Sequence, residues 1–112
     1  MNLEIKTEKN ITVIALGSER ATITDAPKFK AALVELIDKQ GVNKIVVELK
    51  GVEFIDSTFL SSLVTGLKLV SEKKGDLKVS HLEPPVRVMF ELTRLYKVIE
   101  VFGNTAEAVD SF

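Results

Sequence analysis

The sequence has 112 residues, 46% of them hydrophobic and 28% charged, which predicts a single globular domain over residues 1–112 and argues against disordered or fibrous chains. With no cysteine and one histidine, His81, it has no means of forming disulfides, thiolate nucleophiles or cysteine-ligated zinc, and little for a histidine metal centre or triad, so neither metal nor cofactor is expected. The 15 basic and 16 acidic residues give a formal charge of −1, against a direct nucleic-acid partner; no run nears the roughly 18 apolar residues of a spanning helix, and acid in Met1–Lys6 is unlike a secretory leader, so a cytoplasmic chain without membrane insertion is expected.

Leu3–Lys6 and Ile11–Leu16 flank the polar Thr7-Glu8-Lys9-Asn10 and predict a short hairpin. From Asp25 the period changes. Ala26-Pro27 reads as a helix start, Phe29, Ala32, Leu33, Leu36 and Ile37 recur on one helical face, and Gly41 ends the element. Lys44–Leu49 is a β-branched apolar run bounded by turn residues and predicts a central, parallel strand covered on both faces. The pair Phe54-Ile55 then leads through Asp56-Ser57-Thr58 into a helix whose stripe is Leu60, Leu63, Val64, Leu67 and Val70, expected to face Ile45, Val47 and Leu49. Leu77–Ser80 predicts a strand, Pro84-Pro85 opens a third helix through Val88, Met89 and Leu92, Val98–Phe102 predicts a last strand, and Thr105–Phe112 a short terminal helix.

Alternating strands and helices predict an α/β fold, a small mixed and largely parallel sheet with helices packed beside it. In such sheets function gathers where strand C-termini meet helix N-termini, which directs attention to Asp56, Ser57 and Thr58. All three residue types cap helices, because a side-chain oxygen accepts from the unpaired first-turn amides. A hydroxyl on that turn is also open to modification, since an added phosphate would meet free N–H groups and the positive end of the helix dipole. The two roles are compatible at one residue.

The six glycines are scattered and form neither a dinucleotide fingerprint nor a phosphate loop. Glu48, Glu53 and Asp56 read as solvated or capping carboxylates, His81 as a strand-end residue, and Arg87 and Arg94 as solvated cations on one face if the third helix persists. Phe59, Ser62, Gly66 and Leu69 make a second stripe about 100° from the apolar one. That stripe has two readings: it widens the core under a neighbouring helix, or it leaves a shallow trough beside Ser57 for a partner. The expected partner surface on the second reading is Asp56, Ser57, Thr58, Phe59, Ser62, Gly66 and Leu69.

From Ile45 to Phe102 the chain resembles the STAS domain of bacterial anti-sigma factor antagonists, in Ile-Val-Val-Glu-Leu-Lys-Gly-Val-Glu-Phe-Ile-Asp-Ser-Thr-Phe-Leu, Gly-Asp-Leu-Lys-Val and Pro-Pro-Val-Arg-Val-Met-Phe-Glu-Leu-Thr-Arg-Leu-Tyr-Lys-Val-Ile-Glu-Val-Phe. Thr24 to Leu33 resembles the family's first helix. The most specific element is Asp56-Ser57-Thr58, where the family has Asp-Ser-Ser/Thr-Gly-Leu. Two departures stand out: Phe59 replaces the family's glycine, and Gly17–Thr22 replaces its Gly-Glu-Leu-Asp run. The resemblance implies a non-catalytic binding module whose Ser57 is phosphorylated by a partner serine kinase that is itself the anti-sigma factor, with Thr58 as a second acceptor. An alternative implied role is a STAS regulatory subunit of an ABC-type lipid transporter, acting without a phosphate cycle.

Overall fold

The computed structural model describes all 112 residues. β1 (Leu3–Glu8) and β2 (Ile11–Leu16) form the hairpin, longer than expected by Thr7 and Glu8. Its turn shrinks to Lys9 and Asn10, both with positive φ (50° and 70°), the backbone hand that matches the right-handed twist of flanking strands. Next come β3 (Arg20–Ala21), α1 (Ala26–Val34) extended by one π turn (Glu35–Lys39), β4 (Lys44–Glu48), β5 (Phe54–Ile55) and α2 (Ser57–Glu72). The chain finishes with β6 (Asp76–Ser80), α3 (Pro84–Leu92), a 3-10 turn (Leu95–Lys97), β7 (Val101–Phe102) and α4 (Thr105–Asp110).

The main sheet has the order β1-β2-β4-β6-β7, antiparallel only between β1 and β2. This is the mixed, largely parallel α/β sheet expected from the alternation of elements. β4 lies at its centre with Ile45, Val46 and Val47 wholly buried, because helices cover both faces. Ile45 and Val47 join a 24-residue core with α1, α2 and α3, whereas Val46 belongs to a five-residue cluster with Ala108 and Val109 of α4, so one side of the sheet carries most of the hydrophobic driving force. No helix is long and apolar enough to cross a membrane.

Three sequence expectations are corrected. β3 was not foreseen: its two residues pair in parallel with β5 (Arg20↔Phe54, Ala21↔Ile55), and a pairing this short is fixed by tertiary position rather than by pattern. The last strand is Val101–Phe102 alone, because a left-handed Arg94 (φ 57°) and the 3-10 turn carry the chain on, and the N–H groups of Val98 and Ile99 both donate to the Leu95 carbonyl. Because α3 stops at Leu92, Arg94 lies beyond it and does not share a helical face with Arg87.

The stripe of α2 is rotated from the expected one. Leu60, Leu63 and Val70 are buried, but Val64 and Leu67 only partly, and the other deep positions are Phe59, Ser62 and Gly66. Positions 59, 63, 66 and 70 form the line that faces the core. Phe59 has no exposed surface and lies against Phe29 of α1 with ring centroids 4.8 Å apart. Gly66 allows the close approach of α1 and β6: a Cβ there would stand 2.9 Å from methyl carbons of Leu33 and Leu77. The Ser62 hydroxyl satisfies itself by donating to the Thr58 carbonyl, 3.2 Å away.

Candidate functional site at the start of the second helix

β5, paired with β3 in a separate two-stranded sheet, leads directly into α2, with Asp56 at the junction. Asp56 is extended (φ −104°, ψ 171°), the usual backbone of an N-cap, and each of its carboxylate oxygens holds a separate amide. Oδ1 accepts from the Phe59 N–H at 2.9 Å, closing the first turn of α2, and Oδ2 accepts from the Ile23 N–H at 2.8 Å, tying down the segment that follows β3. The β3–β5 pairing sets up that second bond, since the Asp56 N–H also donates to the Ala21 carbonyl at 3.2 Å. One carboxylate therefore fixes two segments, and both bonds are of the stronger, charge-assisted kind.

With Asp56 as the cap, the hydroxyl of Ser57 is released from that duty. Ser57 is the first residue of α2 and exposed, while Thr58, one residue on, is half-buried with its carbonyl engaged by Ser62. The cap and the open hydroxyl, which the sequence left superimposed on Asp56, Ser57 and Thr58, thus fall to different residues. Ser61, one turn after Ser57, is also exposed and continues the hydroxylated face.

The surroundings of Ser57 contain two residues that sequence reasoning missed. Ile23 is 64% exposed although its N–H is fixed by Asp56, and Phe54 is 45% exposed with the Arg20 guanidinium 4.3 Å from its ring centroid. Both leave apolar surface exposed on segments that adjoin the Asp56 junction. The available signals were an isolated isoleucine between Thr22 and Thr24, and Phe54 alternating with the buried Ile55 in a two-residue strand. At the start of the β3–β5 pairing the Glu53 N–H donates to the Glu19 carbonyl at 2.8 Å, and both glutamates are exposed.

The trough expected from Phe59, Ser62, Gly66 and Leu69 does not exist. Phe59, Ser62 and Gly66 point into the core and present no surface to a partner, and Leu69 is half-buried against the same core. The reading that the ring widens the core is the correct one. Gly66 leaves room for the side chains of Leu33 and Leu77 inside the domain. Elsewhere, Glu48 accepts a hydrogen bond from Thr105 at 2.6 Å at the start of α4, and His81 follows β6 with a left-handed φ of 56°, so neither joins the Ser57 neighbourhood.

The sequence pattern of the STAS domain matches residues 2–108. The anti-sigma F factor antagonist of Paenibacillus polymyxa is 27% identical over 111 residues, covering 97% of this chain and 94% of its own length. An anti-sigma-factor antagonist STAS domain protein from Planctomyces limnophilus has the same architecture, with TM-score 0.83, 26% identity and coverage of 97% and 96% of the two chains. The Bacillus cell fate determinant SpoIIAA, solved in its phosphorylated form, shares the fold at TM-score 0.76 and 16% identity, with 98% of both chains covered. The antiparallel hairpin edge, the parallel strands beyond it and the serine at the head of α2 are accordingly those of a protein that belongs to the STAS family.

Proposed function

We propose that this chain is an anti-sigma factor antagonist: a non-catalytic module of the cytoplasm that, unmodified, binds an anti-sigma factor serine kinase, and that is switched off when the kinase phosphorylates Ser57. The observation that carries the reading is the division of labour at the head of α2, where Asp56 supplies the cap and Ser57 keeps an exposed, unengaged hydroxyl. The names of the relatives support the same assignment. The partner surface on this reading is Asp56, Ser57, Thr58 and Ser61 with the apolar flanks Ile23 and Phe54.

The physical effect of the switch falls on binding rather than on folding. A phosphate on Ser57 brings roughly −1.5 to −2 charge to the first residue of a helix, where the dipole favours anions by about 0.3–1 kcal/mol. It stands next to the Asp56 carboxylate, so it adds its charge to a negative one already present at the head of the helix. A partner surface that accepts a neutral serine there loses complementarity, since misplaced like charges cost several kcal/mol at an interface. Thr58, half-buried, is the poorer acceptor.

Incubation with the cognate kinase and ATP tests the assignment. Intact-mass analysis is expected to show one added phosphate, mapped to Ser57 by fragmentation and absent from Ser57→Ala. Stoichiometric phosphorylation of Ser57→Ala would place the acceptor elsewhere and overturn the reading.

A further inference from the structure

Half of the large apolar side chains left exposed on the surface fall within one stretch: Val88 and Leu92 on α3, and Tyr96 and Val98 just after it. Leu92 is the most exposed of all, at 76%. Val88 and Leu92 are one turn apart and form a row along α3, and Arg87 and Glu91 form the adjoining row. Beside that charged row lies a groove of about 230 Å³, floored by Leu82, Phe90 and Val101 and edged by Arg87, Glu91 and Tyr96. The face thus carries both an apolar projection and an apolar recess.

The charges on this face are unspent. Neither Arg87 nor Glu91 takes part in any of the chain's ion pairs, although they are spaced to meet on the helix. Arginine preceding glutamate is also the weaker order for such a pair along a helix, so little holds them to one another.

We propose that this face associates with a second copy of the chain, the two α3 helices packing antiparallel about a two-fold axis beside residue 89. A two-fold contact requires a self-complementary surface, and this one meets the requirement twice over. The axis sets Arg87 of each copy opposite Glu91 of the other, and, because an antiparallel two-fold keeps each row facing itself, it lays the Val88–Leu92 row of one copy along that of the other. Opposite charges one helical turn apart on one surface are what an antiparallel copy of that surface neutralises. A partner of uniform charge would leave either Arg87 or Glu91 repelled. The inference does not depend on the phosphorylation reading, since it uses no residue at the head of α2.

Sedimentation velocity on the whole unmodified chain over a wide concentration range tests it, with thermal melting as the control for folding. A reversible monomer–dimer equilibrium is expected, with Leu92→Asp raising the dissociation constant at least about tenfold while the melting temperature holds. Arg87→Glu and Glu91→Arg are each expected to weaken self-association, because each sets like charges face to face. An equimolar mixture of these two variants is expected to associate again, as one copy then offers two acids to two bases of the other. Rescue between different molecules cannot arise from a pairing within one chain. A wild-type chain that stays monomeric throughout, a Leu92→Asp chain that dimerises unchanged, or a mixture that fails to associate would each overturn the proposal.

Discussion

The outer and inner sides of α2 share one helix yet obey different physics. Ser57 and Ser61 face solvent, and the backbone is fixed from outside by the Asp56 carboxylate. Phe59, Ser62, Gly66 and Val70, on the opposite side, are enclosed by α1 and the sheet. The helix is therefore held by its buried side, and on the proposed function it is read on its exposed one, where a charge can be added without disturbing the core. Substitutions on the two sides should separate stability from binding.

The largest effects belong to the buried side. Phe59→Ala removes a ring with no exposed surface that stacks on Phe29, and should cost about 3–5 kcal/mol in chemical denaturation, a large part of a small domain's stability. Leu63→Ala, also fully buried, should cost about 2–5 kcal/mol. A loss below about 0.5 kcal/mol at either position would show that the inner side of the helix has been misidentified.

Gly66→Gln comes next. It forces a side chain between Leu33 and Leu77 and buries an amide with no partner, so a loss of about 3 kcal/mol is expected in the same assay, against the gain in helix propensity that replacing glycine brings elsewhere. If instead the variant is stabilised, position 66 is not a point of close approach.

At the boundary between the two sides, Asp56→Ala should cost about 1–2 kcal/mol, because it deletes the cap on Phe59 and the tie to Ile23 together. Faster amide exchange at Ile23 than in the wild type is the specific signature. Unchanged exchange there, with the same loss of stability, would mean that the carboxylate acts on α2 alone. The smallest effect on folding should come from Ser57, where Ala or Asp is expected to stay within about 0.5 kcal/mol of wild type, since the residue is exposed and does not supply the cap.

Much of this was legible in the amino-acid order. The central strand declares itself because Ile45, Val46 and Val47 are consecutive β-branched residues with no polar face, and α1 because Phe29, Leu33, Leu36 and Ile37 repeat at helical spacing. The head of α2 was legible because small polar residues sit between a strand-like pair and an apolar stripe. The inner side of α2 was misjudged for a physical reason: hydrophobic periodicity weights large apolar residues, whereas Gly66 is buried because its lack of a side chain lets α1 and β6 come close, and Ser62 is buried with its hydroxyl satisfied within the helix. The second hydrogen bond of Asp56 could not be read at all. It joins positions 33 apart through a two-residue parallel pairing that leaves no pattern in sequence.

The central claim is that Ser57 switches binding and not folding, and the affinity of the anti-sigma kinase for phosphorylated and unphosphorylated protein tests it most directly. Calorimetric titration should show unphosphorylated wild type and Ser57→Ala binding alike, and the phosphorylated protein and Ser57→Asp binding at least about tenfold more weakly, with all four melting within a few degrees of one another. Equal affinity of the phosphorylated and unphosphorylated forms would contradict the account.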